Sequence, residues 1–224
     1  MTYTFHFGIV WANAAELLDG AWLTVRLSAL AMVISLAVAI LGAFGRTSGP
    51  RPLQGLIAAY VEVIRNTPFL VQIYIIFFGL PRLGVRLDAN QAALFALVLN
   101  GSAYTIEIVR AGLLSVTTGQ AEAAAALGLH KFAVFRLVVL PQALAAIAAP
   151  LGSQFILLML NSSITSVISA EELTAVSQDI GSRTFRSFEI TIAATFLYLV
   201  LSSGFSLVFE LIEQSAFGWR RVAR

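Results

Sequence analysis

The sequence contains little charge and no cysteine. Only 12% of its 224 residues are charged, against about a quarter in soluble domains. Without cysteine, the chain has neither disulfides nor thiolate metal sites, and its two histidines, His6 and His130, lie too far apart in sequence to suggest a metal pair. Lys131 is the single lysine, and the scattered arginines lack the clustering typical of nucleic-acid binding. A glycine-rich Lys-Ser/Thr loop is also missing, so we expect no cofactor or catalytic residue here and place any nucleotide on another polypeptide.

Long apolar runs dominate the chain instead. Hydrophobic residues make up 58% of it, and the mean hydropathy is +0.86. A helix needs about 20 mostly apolar residues to cross a bilayer. We therefore expect an all-α integral membrane protein, a single domain over 1–224 with about five transmembrane helices. The runs cover about 22–44, 56–80, 91–114, 141–168 and 190–212, with a polar and alanine-rich loop at 115–140.

The basic residues predict an orientation. With five crossings, one side of the membrane carries seven of the 14 basic residues and the other side carries four. Short cytoplasmic loops are enriched in lysine and arginine. The bias predicts that the C-terminus and loop 115–140 are cytoplasmic and that the N-terminus is outside. The seven are Arg46, Arg51, Lys131, Arg136, Arg220, Arg221 and Arg224.

Loop 115–140 holds the most informative pattern. Glu122-Ala123-Ala124 is followed after three residues by Gly128 and after nine more by Val138-Val139-Leu140-Pro141. Alanine and glutamate favour a helix and glycine its end; local physics alone is equally consistent with a simple connector. The spacing resembles the EAA motif of ABC importer permeases. This resemblance implies a coupling helix docked in a groove of an ATPase subunit, formed by Gly119, Gln120, Glu122, Ala123, Ala124, Gly128, His130 and Lys131.

Further motifs resemble the polar amino-acid branch of that family, which transports histidine, glutamine, glutamate, arginine or opines. They are Leu18-Asp19-Gly20, Arg65-Asn66-Thr67-Pro68, Ala103-Tyr104 with Glu107 and Arg110, and Gly119-Gln120. The resemblance implies a multi-pass protein of a bacterial inner membrane with the type I ABC importer permease (MetI-like) architecture. It also implies four kinds of partner: a second permease, identical or homologous, two ATPase subunits that hold ATP and Mg, an extracytoplasmic amino-acid-binding protein, and the lipid bilayer.

One position departs from the family pattern. Members commonly carry a lysine before the Asn/Asp-Thr-Ser stretch of the fourth helix, where this chain has Leu160 before Asn161-Ser162-Ser163. A charge-based role in substrate binding is therefore not expected at this position. We hypothesise that a non-identical partner permease carries the lysine instead.

Four charged residues lie within the second and third apolar runs. Glu62 with Arg65, and Glu107 with Arg110, have the i,i+3 spacing of ion pairs on a helix. Charges inside a bilayer need partners or water. Two interpretations stay open: structural ion pairs that stiffen the region beside the coupling loop, or part of a substrate site.

A polar stripe follows the fourth run. Gln154, Asn161 and Thr165 fall on one helical face at i, i+7 and i+11, with Ser162 and Ser163 beside them. Asn100 is a weaker candidate in the third run. Small hydroxyl residues support close helix packing, whereas a polar stripe also suits a water-filled path for a zwitterionic solute. Both interpretations remain open.

The predicted function is that of a permease subunit in a binding-protein-dependent importer, which alternates access to the two sides of the membrane. An importer for another small solute is the alternative in the same class. A secondary transporter or a membrane scaffold would be a different class. Secondary transporters commonly contain internal repeats, and this sequence has none that we detect.

Overall fold

The structure, a computed structural model, describes residues 4–217, and within this range the chain forms helices and turns but no strand. The C-terminal Arg220, Arg221 and Arg224 of the charge count lie outside the described residues. The α-helices are α1 Gly8–Ala12, α2 Ala14–Ser48, α3 Arg51–Arg65, α4 Phe69–Tyr74, α5 Ala89–Leu114, α6 Thr118–Ala126, α7 Lys131–Val134, α8 Leu140–Asn161, α9 Leu173–Thr184 and α10 Ser187–Phe217. Ile75–Gly79 and Phe135–Val139 are π-helical, and Leu80–Leu83 and Ser162–Ile168 are 3₁₀-helical.

Four helical segments are long and apolar enough to cross a membrane, and a fifth crossing results if one bent pair of helices is counted as a single span. The predicted all-α membrane architecture is therefore confirmed, while the orientation stays a prediction. The first and last spans extend beyond the predicted 22–44 and 190–212. The four segments are Ala14–Ser48, Ala89–Leu114, Lys131–Ile168 and Ser187–Ala216.

The second apolar run, predicted at 56–80, is broken in the middle. Arg51–Arg65 and Phe69–Leu83 are bent by 107° relative to each other. Pro68 causes the break, because proline lacks an N–H group and disfavours helical backbone at the preceding residue. Asn66 Nδ2 donates to Glu62 O at 2.8 Å, and Thr67 Oγ1 donates to Val63 O at 2.8 Å. Two carbonyls at the end of α3 are thus satisfied by side chains.

The fourth run also differs from its prediction of 141–168. Helix α8 ends at Asn161, and the chain continues as a 3₁₀-helix to Ile168. Hydroxyl side chains compete there for backbone carbonyls. Ser162 Oγ donates to Met159 O at 2.7 Å, and Thr165 Oγ1 donates to Ser162 O at 2.6 Å. Before α8, the end of the predicted loop 115–140 is already helical, so the span begins at Lys131.

Helix α5 lies at the centre of the bundle, between α2 and α8. Its packing face consists largely of small residues, and Ala92, Ala93 and Ala96 are fully buried. Small side chains let helices in a membrane approach closely. One close approach is at Gly101, where an added methyl group would collide with the side chains of Leu158 and Ser35.

Two further packing contacts define the ends of the bundle. Helix α3 packs on α2 and α5 near α6, and Tyr60 Oη donates to Leu99 O at 2.6 Å across this contact. Helix α9 packs on the first turns of α2 and α10 at the opposite end. We call the end of the bundle that holds α6 the coupling end. We call the opposite end, which holds α9, the far end.

We expect Gly101→Val to destabilise the folded protein by about 1–3 kcal/mol, because the added side chain collides with Ser35 and Leu158. Thermal unfolding in a mild detergent measures the loss as a lower melting temperature. Gly204→Val is the matched control, because no atom lies within 4 Å of the Cβ position at Gly204 on α10. Equal melting temperatures for the two variants would contradict the assigned packing around α5.

Candidate functional site

Helix α6 lies on the surface of the coupling end. Ala124 is the buried residue of this helix and packs toward the chain that follows it. Gly119, Gln120, Glu122 and Ala123 are exposed. The Glu122 side chain forms no hydrogen bond or ion pair with any residue between 4 and 217. This face of α6 is therefore available to another protein.

The turn after α6 depends on Gly128. Its φ of +88° lies in the left-handed region, which favours glycine. The Gly128 N–H donates to Ala125 O at 3.0 Å, and the Leu129 N–H donates to Ala124 O at 3.3 Å, so the last turn of α6 is closed by backbone bonds. Leu127 is 85% exposed just before the glycine. Sequence reasoning missed this apolar side chain, although its place between an alanine helix and a helix-ending glycine could have indicated it.

His130 and Lys131 begin the next helix. Nδ1 of His130 accepts a hydrogen bond from the Ala133 N–H at 3.3 Å, so His130 caps α7. Lys131 is exposed in the first turn. The chain then continues through Phe135–Val139 into α8 without leaving helical conformation. The coupling turn is thereby joined directly to the helix that carries most of the polar stripe.

A network of three charged side chains joins α2 to α5 at the coupling end. Arg110 Nη2 contacts Glu107 Oε2 at 2.9 Å, and Arg46 Nη1 contacts Glu107 Oε1. The Glu107 side chain is 18% exposed, so one partly buried carboxylate is held between two guanidinium groups. The contribution of Arg46, 61 residues away in the chain, was not predicted from the sequence.

The second predicted pair, Glu62 with Arg65, is not formed. Glu62 Oε1 instead accepts from Asn66 Nδ2 at 3.1 Å, and the Arg65 guanidinium lies over the Tyr104 ring, 5.5 Å from its centroid. The attraction between a cation and an aromatic ring replaces the ion pair. The i,i+3 spacing did not predict this, because the position of Tyr104 is set by the packing of α3 on α5.

A cavity of about 520 Å³ opens between α3, α5 and α8 toward the coupling end. Arg65, Tyr104 and Glu107 lie on its walls, together with Gln154 from the predicted stripe. Its walls thus combine one cation, one carboxylate, one amide and an aromatic ring. Most of the remaining wall is apolar, so these few polar groups lie in an otherwise apolar cavity.

Of the six residues predicted for a substrate path, three are buried in the structure and three are partly exposed. Asn100 is 7% exposed, and Ser162 and Thr165 are fully buried. Asn100 Nδ2 donates to Gln72 Oε1 at 2.9 Å, and Gln72 Nε2 donates to Ile64 O at 2.8 Å. Asn100 therefore supports the break between α3 and α4 inside the subunit, and the two hydroxyl residues are satisfied by local carbonyls.

Gln154, Asn161 and Ser163 are partly exposed. No hydrogen bond joins the side chain of Gln154 or Asn161 to another residue in the described range, while Ser163 Oγ donates to Leu160 O at 2.7 Å. Thr165 does not share their face. The expectation of one continuous stripe was wrong there, because a 3₁₀-helix has three residues per turn and turns Thr165 into the core.

The far end has polar features that sequence reasoning missed. A cavity of about 820 Å³ lies between α2 and α9, and its walls include Asp19, Arg26 and Asp179. Next to it, Glu172 is fully buried, accepts from the Thr174 and Ala175 N–H groups, and accepts from Tyr198 Oη at 2.5 Å. Burial raises the pKa of the Glu172 carboxyl above its usual range. This carboxyl ties the start of α9 to α10.

Comparison with known protein families gives a match over most of the chain. Residues 31–217 match the family described as "Binding-protein-dependent transport system inner membrane component". Within residues 4–217 no group of three or more His, Asp or Glu side chains could hold a metal ion.

Curated relatives match over nearly their whole length. The glutamine transport system permease protein GlnP of Escherichia coli is 34% identical over 94% of this chain and 97% of its own. The L-cystine transport system permease protein TcyB of Bacillus subtilis is 39% identical over 87% of this chain and 84% of its own. The octopine transport system permease protein OccM of Rhizobium meliloti is 34% identical over 96% of this chain and 91% of its own.

Solved structures agree with the fold. A crystal structure of an amino acid ABC transporter with histidines contains a chain that is 36% identical, with a TM-score of 0.88 over 95% of this chain and 100% of that one. A chain of the MetNI methionine ABC transporter, in an inward-facing conformation, has a TM-score of 0.73 over 92% of this chain and 98% of that one. At 22% identity, this second likeness concerns the fold alone.

We expect Glu107→Gln to destabilise the protein by about 1–2 kcal/mol, because two partly buried guanidinium groups lose their shared counter-charge. Thermal unfolding in detergent measures the change. Glu62→Gln is the matched control: Glu62 is exposed, and its side chain accepts a hydrogen bond from Asn66 and forms no ion pair within the described range. The same loss for both variants would contradict a special role for the network of Arg46, Glu107 and Arg110.

Proposed function

Because the chain belongs to the family of binding-protein-dependent transport system inner membrane components, we propose that it is the permease subunit of an ATP-driven importer of a polar amino acid. The relatives described above transport glutamine, cystine and octopine according to their names. These solutes share an α-amino acid group with polar substituents. The family also sets this function apart from that of a secondary transporter or a membrane scaffold.

The transporter is assembled from several polypeptides. A second permease, identical or homologous, lies beside this chain and encloses the transport cavity with it. Two ATPase subunits bind ATP and Mg on the cytoplasmic side, and a binding protein delivers the amino acid from outside. The proposed orientation places the coupling end in the cytoplasm and the far end outside, in agreement with the bias of basic residues.

One structural observation supports coupling through α6 in particular. The exposed helix with Glu122 leads through the Gly128 turn into the continuous helical span Lys131–Ile168, which carries Gln154, Asn161 and Ser163. A displacement of α6 by a partner therefore moves the span that borders the transport path. We propose that ATPase closure acts on α6 in this way and changes the side to which the cavity opens.

The docking surface combines a charge with an apolar anchor. Glu122 supplies a carboxylate, Ala123 permits close approach, and Leu127 offers an apolar side chain that is largely exposed in the isolated subunit. Gly119, Gln120, His130 and Lys131 surround them on the same loop. Apolar anchors surrounded by polar residues are typical of protein interfaces.

The substrate path is proposed to follow Gln154, Asn161 and Ser163. The amide of Asn161 both donates and accepts hydrogen bonds, which suits the ammonium and carboxylate groups of a zwitterion. Leu160, which is exposed beside it, provides no charge. Neutral hydrogen bonds from this subunit would leave the choice among amino acids mainly to the binding protein. The hypothesis that a different partner permease provides a lysine fails if this chain alone forms an active homodimer.

We expect Glu122→Arg to abolish coupling. The variant should lose the stimulation of ATP hydrolysis by a loaded binding protein, because the reversed charge opposes docking of the ATPase. The measurement is affinity purification of the tagged chain with its partners, followed by an ATPase assay with and without binding protein. Glu213→Arg, which reverses another exposed carboxylate on α10, is the control and should keep normal stimulation. A chain that purifies without any ATPase would contradict the proposed function itself.

We expect Asn161→Ala to reduce amino-acid uptake about ten-fold, through the loss of one or two hydrogen bonds to the solute. Its melting temperature should stay unchanged, because Asn161 has no partner within the described part of the chain. Asn100→Ala is the comparison and should lower the melting temperature, since Gln72 loses its partner. Uptake into proteoliposomes and thermal unfolding separate the two effects. Normal uptake by Asn161→Ala would exclude it from the path.

A further inference from the structure

A basic cleft lies on the side of the coupling end. It has a volume of about 530 Å³ and is bordered by the end of α2, the start of α3 and the end of α5. Arg46, Arg51 and Arg110 line it, one from each helix. The proposed transport function requires α6, the cavity beside Gln154 and the region of Asn161, but it assigns no role to this cleft.

The cleft has an excess of positive charge. Glu107 is shared between Arg46 and Arg110, so one carboxylate faces two guanidinium groups. Arg51 is exposed and forms no ion pair with any residue from 4 to 217. About two positive charges are therefore not neutralised by the subunit itself.

The start of α3 adds to this field. Its first residue is Arg51, and the N–H groups of the first turn of an α-helix have no partner within the helix. These unpaired N–H groups give the first turn of the 15-residue helix α3 a partial positive charge. Gln54 Nε2 donates to Gly49 O at 2.8 Å and holds the turn before the helix in place. The partial charge of this helix end thus adds to the field of the three guanidinium groups that line the cleft.

An exposed apolar face of α2 leads to the cleft. Ile34, Val38, Leu41 and Phe44 follow one another at helical spacing, and Leu41 and Phe44 are 74% and 67% exposed. Thr47 lies about one turn after Phe44 and lines the cleft. The cleft therefore lies where the surface of α2 changes from apolar to polar, the depth at which lipid headgroups meet a membrane protein.

We propose that this cleft binds the phosphate headgroup of an acidic phospholipid, with an acyl chain along Ile34, Val38, Leu41 and Phe44. Guanidinium groups bind phosphate through charge-assisted hydrogen bonds, and basic clefts between spanning helices are suited to anionic headgroups. The apolar face favours a lipid over free phosphate, because a soluble anion would gain nothing from it. The lipid would also supply the negative charge that Arg51 lacks within the subunit.

Native mass spectrometry of the full-length chain in mild detergent tests this proposal, with dioleoyl phosphatidylglycerol or dioleoyl phosphatidylcholine added in increasing amounts. We expect the wild type to retain phosphatidylglycerol preferentially. Arg51→Gln should weaken its binding about five-fold, as expected for one basic residue at a membrane surface. Arg51→Lys should retain most of the affinity. Arg86→Gln, a change at an exposed arginine of the far end, should have no effect.

Several outcomes would overturn the proposal. One is equal retention of the two lipids by the wild type, and another is unchanged phosphatidylglycerol binding in Arg51→Gln. Displacement of the lipid by inorganic phosphate in millimolar excess would assign the cleft to a soluble anion. If Arg51→Gln instead weakened co-purification of an ATPase while lipid binding stayed normal, the cleft would be a protein contact. Melting temperatures of all variants verify that each is folded, and none of these outcomes depends on the proposed substrate.

Discussion

Backbone polar groups in a bilayer must find hydrogen-bond partners within the protein, and this constraint governs the spans of this subunit. Two irregular segments, the break before Pro68 and Ser162–Ile168, illustrate it. At the first break, Asn66 and Thr67 return to carbonyls of α3, and Gln72 reaches Ile64 O. In Ser162–Ile168, the hydroxyl groups bond to carbonyls three residues earlier. Several polar side chains of the spans therefore satisfy non-helical backbone, and these side chains are not available to a solute.

The same constraint distinguishes polar residues that are hydrogen-bonded inside the subunit from polar residues that are not, although the two kinds look alike in the sequence. Asn100 and Asn161 both lie in apolar runs. Asn100 donates a hydrogen bond to Gln72 at the break, whereas the side chain of Asn161, the last residue of α8, has no partner in the described range. The two have different proposed roles for this reason. A transport path in a membrane subunit is thus expected where a polar side chain is not required by its own backbone.

Close packing around α5 holds these spans together as one rigid unit. Glycine and alanine bring α2, α5 and α8 together, and the network of Arg46, Glu107 and Arg110 fastens α2 to α5 near the coupling end. In the proposed mechanism, a rigid core of this kind transmits a displacement of α6 to the far end of Lys131–Ile168. The basic cleft lies beside the same network, so a bound phospholipid would rest against the part of the subunit that faces the ATPase in the proposed assembly.

The sequence by itself determined the class of the protein: about five apolar runs require a helical membrane protein, and the spacing from Glu122 to Pro141 indicated the family. It also indicated the turn at Gly128, because a helix end in the left-handed region is a local property of the chain. Only the tertiary structure decided which charges meet and which polar residues are buried. Arg46 pairs with Glu107 across 61 residues, and Arg65 turns to Tyr104 in preference to Glu62. Such choices depend on how α2, α3 and α5 pack against each other, and neither a local spacing nor a helical period contains that information.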